Sequence, residues 1–259
     1  MRELYGANVV GAPRAGIDPL LTVARQDDRL EPRGALKYIL EGEPDLPEVT
    51  SAPAPAMSGT RSSEVKARVG LDLSAHFLTA LGLPVPGAEV TATLWDGATK
   101  FAFEVRDVLE NQVDLAELAR TIDGEVIADN AATSIFLSDA SQQLLLVTRT
   151  LTATTFAARA GSAGGQTLGV SVDAVSDLIG KANADVSWKR EKDDWVSFHG
   201  PVPVTFGFSV VPCIIGPDRR LKFGLTRKDL TFGVKNVQPV IASVPAIAEN
   251  GRVGIVQFE

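Results

Sequence analysis

The feature that most constrains this chain is the stretch QQLLLVTRTLTATTFAAR, residues Gln142 to Arg159, long enough for two ordinary strands yet free of turn residues. A mean strand has about 5–6 residues, whereas a strand crossing a bilayer at a tilt needs about 9–11. The odd positions Leu145, Val147, Leu151, Ala153 and Ala157 are apolar, with Arg149 and Thr155 as exceptions. The even positions carry Thr148, Thr150, Thr152 and Thr154. That period of two predicts a strand with one dry and one wet face. Its length raises the question of membranes without settling it.

The 259 residues allow one large domain or two small ones, and 45% hydrophobic with 22% charged residues is an ordinary globular balance. Cys213 is the single cysteine, so no intramolecular disulfide forms. The N-terminus MRELYGANVV lacks the basic and apolar regions of a secretory leader, and the expected location is cytoplasmic. No run of about eighteen apolar residues encodes a transmembrane helix, so entry into a bilayer would have to use strands. A formal net charge of −7 disfavours whole-protein attraction to nucleic acid or to anionic lipid. Locally, PDRRLKFGLTRKD gathers Arg219, Arg220, Lys222, Arg227 and Lys228, and WKREK adds Lys189, Arg190 and Lys192. These patches read either as solvated faces or as docking sites for acidic headgroups.

Along the chain, NVVGAPRAGIDPLLTVARQDDRLEPRGAL reads as short strands broken by Pro and Gly, with Asp27 and Asp28 in a turn. Residues Glu41 to Ser63 are rich in Pro, Ser and Ala without periodicity, which predicts a mobile surface loop. EVKARVGLDL alternates as an amphipathic strand, and Ser74 is placed to cap a helix AHFLTALG with Phe77, Leu78 and Leu81 at helical spacing. Strands EVTATLW and KFAFEVRDVL follow around an Asp96-Gly97 turn, and Asp114 begins a helix LAELARTI. After the ribbon, VSVDAVSDLIG reads as a short helix and ANADVSWKREK as another alternating strand. The order strand, small helix, strand thus occurs twice, without enough identity for an internal repeat. VSFHGPVPVTFGFSVVPCII and RRLKFGL supply core strands, with Pro203 and Pro212 pointing to edges or bulges. The terminus Val253, Ile255, Val256 and Phe258 is apolar and reads as docked on the body.

Chemistry is sparse. His76, His199 and Cys213 are far apart in sequence, which argues against a structural zinc. His76 is expected on a small helix, His199 in a turn before Pro201, and Cys213 as a buried apolar residue. The chain has no GxSxG, GxxxxGK[ST] or GxGxxG motif, and AGSAGGQTLG reads as a flexible hairpin tip. Neither catalysis nor a cofactor is expected.

Taken in order, YGANVVGAPRAGIDPLLTVARQDDRLEPRGAL, VKARVGLDLSAHFLTALG, VDLAELAR, QLLLVTRTLTATTFAAR and VPVTFGFSVVPCII resemble the pore-forming domain of gasdermins, particularly the compact bacterial members. The resemblance implies an α+β fold: a twisted, mixed and mostly antiparallel central sheet with small peripheral helices. It implies a pore-forming body at residues 1–235, including the loop at 41–63, held as an inactive monomer by an autoinhibitory tail at 236–259. A protease would remove the tail, and the body would oligomerise on membrane lipids into a large β-barrel that kills the cell, with anti-phage defence as the setting. The chain would be cytoplasmic when inactive and at the inner membrane once active. Two strand-helix-strand regions, Glu64 to Arg106 and Gln142 to Lys192, would unroll into hairpins.

Backbone groups in lipid must pair internally, which leaves barrel strands once helices are excluded. On that assignment the spanning residues are Val65, Ala67, Val69, Leu71, Val90, Leu94, Phe101, Phe103, Leu145, Val147, Leu151, Ala153, Val186 and Trp188. The tail would hold through Val253, Ile255, Val256 and Phe258, and Arg219, Arg220, Lys222, Arg227 and Lys228 would meet lipid headgroups. The scissile bond is expected within residues 236–250. Bacterial gasdermins commonly carry an early acylated cysteine, and here no cysteine precedes Cys213. Two other readings of the strands stay open: a structural or tube-forming subunit that pairs laterally, and a small-ligand or lipid-binding module.

Overall fold

The computed structural model describes residues 8–14, 16–26, 29–61, 74–81, 98, 100–138, 143–162, 167–168, 176–177 and 185–223. In chain order these form β1 (Asn8–Arg14), β2 (Leu21–Gln26), β3 (Arg29–Ala35), β4 (Val49–Pro53), β5 (Met57–Arg61), α1 (74–80), β6 (Lys100–Arg106), β7 (Leu109–Val113), α2 (Leu115–Ile122), α3 (Ser134–Ser138), β8 (Gln143–Gly161), β9 (Thr167–Leu168), β10 (Ser187–Arg190), β11 (Val196–Ile215) and β12 (Leu221–Phe223). Short 3-10 turns occupy Leu36–Tyr38 and Lys192–Asp194.

The ribbon read from the sequence is one continuous strand, β8, and it is the spine of a sheet that holds twelve strands among the described residues. Along one edge it pairs in turn with β2, β7 and β6, while β11 follows its other edge from Leu144 to Ala158. Outer strands extend these: β3 on β2, β4 on β7, β5 on β6, and β1, β10 and β12 on β11. Every pairing among the described residues is antiparallel. The architecture is α+β with a dominant antiparallel sheet and few helices.

The alternation along β8 is less simple than one dry and one wet face. Leu144 and Leu146 pack with Leu118 and Ile122 of α2, whereas Leu145 and Val147 pack with Ile17, Val23 and Phe208. Farther along, Leu151 and Ala153 share a cluster with Phe156, Ala158 and Ala160. This change from odd to even positions coincides with Thr154, which the β11 register skips: Ala153 faces Val204 and Thr155 faces His199. Thr148 is skipped likewise between Val147 and Arg149. Thr148 is an extra residue of β8, whereas opposite Thr154 the surplus lies on β11, where residues 200–203 face that one position, and each irregularity resets the face taken by the side chains after it. Leu145 and Val147 are therefore not continuous with Leu151 and Ala153, as strict alternation predicts.

The threonine side is not wet either. Thr148, Thr150 and Thr152 are buried and Thr154 is half-buried, and Asn111 of β7 reaches the Thr150 and Thr152 hydroxyls at 3.4 and 3.3 Å. Arg149 forms an ion pair with Glu110 on β7. Neighbouring strands thus supply the polar partners that a solvated face would take from water.

Three other sequence expectations change. The segment 41–63 is not a loop throughout, because β4 and β5 lie inside it and pair with β7 and β6. Their short polar sequences carry no alternation, and they become strands by completing the main-chain bonds of a neighbour. KFAFEVRDVL is two strands, broken where Asp107 takes a left-handed φ of 54°. Pro203 falls in the register shift between His199 and Val204, as a bulge position should, but Pro212 sits in register opposite Leu145. Its other side lies between Phe208, which pairs with β1, and Cys213, which pairs with β12, so among the described residues its missing N–H removes no ladder pair there. The helix after Asp114 is as expected: its carboxylate accepts from Ala116 and Glu117 N–H, both at 2.8 Å.

Candidate functional site

The ends of the two strand-helix-strand regions meet around α1 and the lower half of β8. Ala75, Phe77, Leu78 and Leu81 are buried and His76 and Thr79 exposed, the spacing of a helix with one covered face. Ser74 lies within the helix and is buried. The Phe77 ring stacks on Phe156 at 5.1 Å and lies 6.2 Å from Phe206, and Phe103 stacks on Phe156 at 6.2 Å. Burial of Phe77, Leu78 and Leu81 stabilises this docking by about 1.5–3 kcal/mol each. Close approach depends on Gly200: a Cβ there would sit 2.8 Å from both Leu81 Cδ2 and the Leu81 carbonyl oxygen. Any side chain would push the end of α1 off β11.

A polar clasp closes the same place. Arg106, the last residue of β6, donates from Nη1 to both Glu191 carboxylate oxygens at 2.9 Å, and its Nε donates to Glu104 at 2.8 Å. Its guanidinium also lies over Trp195 at 5.9 Å, and that of Arg159 at 5.1 Å. These are the terminal residues of the two regions, Arg106 for the first and Glu191 beside Lys192 for the second. The bonds are charge-assisted and partly shielded from water, the setting in which ion pairs exceed their usual surface strength.

Beside the clasp, Thr155 Oγ1 donates to Asp107 Oδ2 at 2.6 Å and lies 2.9 Å from His199 Nδ1. With its proton directed to Asp107, the hydroxyl accepts from an Nδ1–H of His199. His199 is thus in β11 opposite Thr155, not in a turn, because the strand continues through Gly200 and Pro201. The chain joins the corner between β6 and β7 to β8 and β11 at the position where Thr154 leaves the register.

Of the proposed spanning residues, Phe101, Phe103, Leu145, Val147, Leu151, Ala153 and Val186 are buried, and Trp188 packs half-buried against the cluster under α1. Val65, Ala67, Val69, Leu71, Val90 and Leu94 lie outside the described residues, as do Val253, Ile255, Val256, Phe258, Arg227 and Lys228. So do the Asp27-Asp28 and Asp96-Gly97 turns and, apart from residues 176–177, the VSVDAVSDLIG helix. Of the basic set, Arg219 donates to Glu41 at 3.1 Å and lies 3.8 Å from Asp129. Arg220 donates to the Gly124 carbonyl at 2.6 Å and pairs with Asp218 at 3.6 Å. Lys222 is exposed on β12. Two of the three described cations are therefore occupied within the fold rather than presented as bare charge.

Cys213 is buried among Leu144, Leu221 and their neighbours, and burial pushes its thiol up to about 12. Among the described residues no group of three His, Cys, Asp or Glu could hold a metal, and no helix is long and apolar enough to cross a membrane. Sequence reading missed Gly200, the Arg106–Glu191 clasp and the Asp107–Thr155–His199 chain. Their partners are remote in sequence, and the Gly200-Pro201 dipeptide carries the local signal of a turn.

Comparison with known proteins agrees with this framework. The model of the Bacterial Gasdermin Family matches residues 10–222. A gasdermin of Lysobacter enzymogenes is 29% identical over 218 residues, 83% of this chain and 79% of the relative. One from a Desulfuromonadales bacterium is 26% identical over 211 residues, 80% of this chain and 77% of the relative. In fold, a bacterial gasdermin from Bradyrhizobium tropiciagri superposes with a TM-score of 0.57 at 17% identity, covering 85% of this chain and 88% of that one. The matched span takes in the spine strand, its long partner β11, α1 and the clasp, and on it this chain belongs to the bacterial gasdermin family, whose function is pore formation in cell death and defence.

Proposed function

We propose that this chain is an autoinhibited pore former, switched on when a protease removes residues 236–259. The released body assembles with further copies on the inner membrane into a large β-barrel, and the resulting leak kills the cell in defence against phage. The observation that carries the reading is the arrangement of β8 and β6. They are already hydrogen-bonded neighbours, from Arg106↔Thr155 to Lys100↔Gly161, and each belongs to a different one of the two regions that would become hairpins.

Two holds would have to yield. The first is the seat of α1 on Phe156 and Phe206, which must open for the region Glu64 to Arg106 to extend. A helix of this length has little stability apart from its packing. The second is the Arg106–Glu191 clasp between the ends of the two regions. Residues Leu145, Val147, Leu151, Ala153, Phe101, Phe103, Val186 and Trp188 would then exchange core contacts for lipid, in a barrel whose faces alternate. Arg219, Arg220, Lys222, Arg227 and Lys228 would meet acidic headgroups, which requires Arg219 to leave Glu41 and Asp129.

Dye-loaded vesicles of bacterial lipid test this. Intact protein should leave them sealed, and protein cut within residues 236–250 should release the dye and form membrane-bound oligomers. Correctly cut, folded protein that leaves vesicles of varied composition sealed would refute the reading, and ordered assembly without leakage would favour a structural subunit instead.

A further inference from the structure

All five residues of β4 are exposed, and its one strand partner among the described residues is β7. The register runs without a shift from Val49↔Val113 to Pro53↔Leu109, and the Ala54 N–H bonds the Val108 carbonyl at 2.8 Å in the same register. Antiparallel ladders alternate between residue pairs that exchange main-chain bonds and pairs that do not. Counted in twos from Ala54, Ala52 and Thr50 turn their N–H and C=O towards β7. Val49 and Ser51 turn theirs away from β7, and Pro53 does so with its C=O alone. Proline at an outward position leaves the ladder intact. The edge thus offers the N–H groups of Val49 and Ser51 and three carbonyls, guarded at its Pro53 end by the missing N–H but along its length by no charged residue or bulge.

Charge selects what can pair there. The preceding segment EGEPDLPE holds four carboxylates and no base. Glu41 is engaged by Arg219, while Glu43, Asp45 and Glu48 are exposed and have no ion pair among the described residues. Glu48 adjoins the Val49↔Val113 pair, whose other member is followed by Asp114. A second copy pairing on this edge would bring the same carboxylates on a chain of net charge −7, so self-pairing is opposed by like charge. We infer that β4 is a strand-addition site for an extended peptide segment of a partner protein, flanked by lysine or arginine. Main-chain bonds to Val49, Ser51 and Pro53 hold such a segment, the acidic stretch orients its basic end, and exposed Val49 supplies an apolar contact. Pore formation plays no part in the inference.

The probe is a fluorescein-labelled peptide of alternating valine and threonine with two lysines at each end, titrated by anisotropy against the intact chain. Saturable binding is expected, and it should weaken about tenfold or more for Ser51→Pro, which removes the central outward donor and no ladder bond. The same loss is expected when alternate amides of the peptide are N-methylated and the protein is unchanged, which keeps the test independent of how the variant folds. A glutamate-flanked peptide should also bind about tenfold or more weakly. Equal affinity for the N-methylated peptide, or no saturable binding, would overturn the inference. So would a dimer of the free chain that Ser51→Pro dissolves, since the occupant would then be a second copy.

Discussion

At the scale of single residues, two positions carry consequences that their chemistry alone does not announce. Gly200 is needed for its missing side chain, not for a turn, since a Cβ would meet the Leu81 backbone oxygen as well as its side chain. Gly200→Ala should destabilise the folded chain by about 1–3 kcal/mol, the usual range for overpacking, read as a lower midpoint of thermal unfolding. If α1 restrains the pore state, the same variant should leak faster after cutting. Cys213 is held neutral by burial, with its thiol raised to about 12. Folding then favours the protonated thiol, a contribution intact below the ordinary thiol range of about 8.5 and lost as pH rises from there towards about 12. A thiol-specific reagent at neutral pH should therefore label Cys213 at the rate of unfolding, and rapid labelling of the folded protein would contradict its burial.

At the scale of elements, the interesting joints are those where strands change partner. β8 passes from β7 to β6 across Asp107, and it is there that Thr155, Asp107 and His199 are linked and Arg106 reaches Glu191. Glu191→Gln removes one charge from the clasp while keeping its shape. The expected loss is at most about 1.5–3 kcal/mol, the range for hydrogen bonds to charged groups, and less where water reaches the pair. A double-mutant cycle with Arg106→Met should return a coupling of the same sign, and additive single effects would show that the clasp does not join the two regions. The elements themselves were unequally legible. α2 is marked by an aspartate cap and a helical apolar stripe, both local signals, and β8 by its uninterrupted length. β4 and β5 have neither, because a strand formed by lending main-chain bonds to a neighbour needs no pattern of its own.

At the scale of the whole molecule, one strand organises the sheet, and a change in its middle should be felt throughout. Leu151 is fully buried in the cluster beneath α1. Leu151→Ala should destabilise the chain by about 2–5 kcal/mol, measured by denaturant unfolding. Leu151→Arg would add a charge that both the core and a bilayer reject, so stability and leakage must be measured together to assign the defect. By itself, the sequence determined that the chain builds long strands, that a cap starts α2, that no apolar run is long enough for a membrane-crossing helix, and that the order of its parts is that of bacterial gasdermins. These follow from local period, local capping and linear order. Only the tertiary structure decided which face each residue of β8 occupies, that Thr148, Thr150 and Thr152 are covered, that Gly200 must be bare, and that Arg106 finds Glu191. All four depend on what arrives from elsewhere in the chain: an unpaired residue that shifts the register, a neighbour with a hydrogen bond to offer, a helix that lies too close for a methyl group, and a carboxylate 85 positions away.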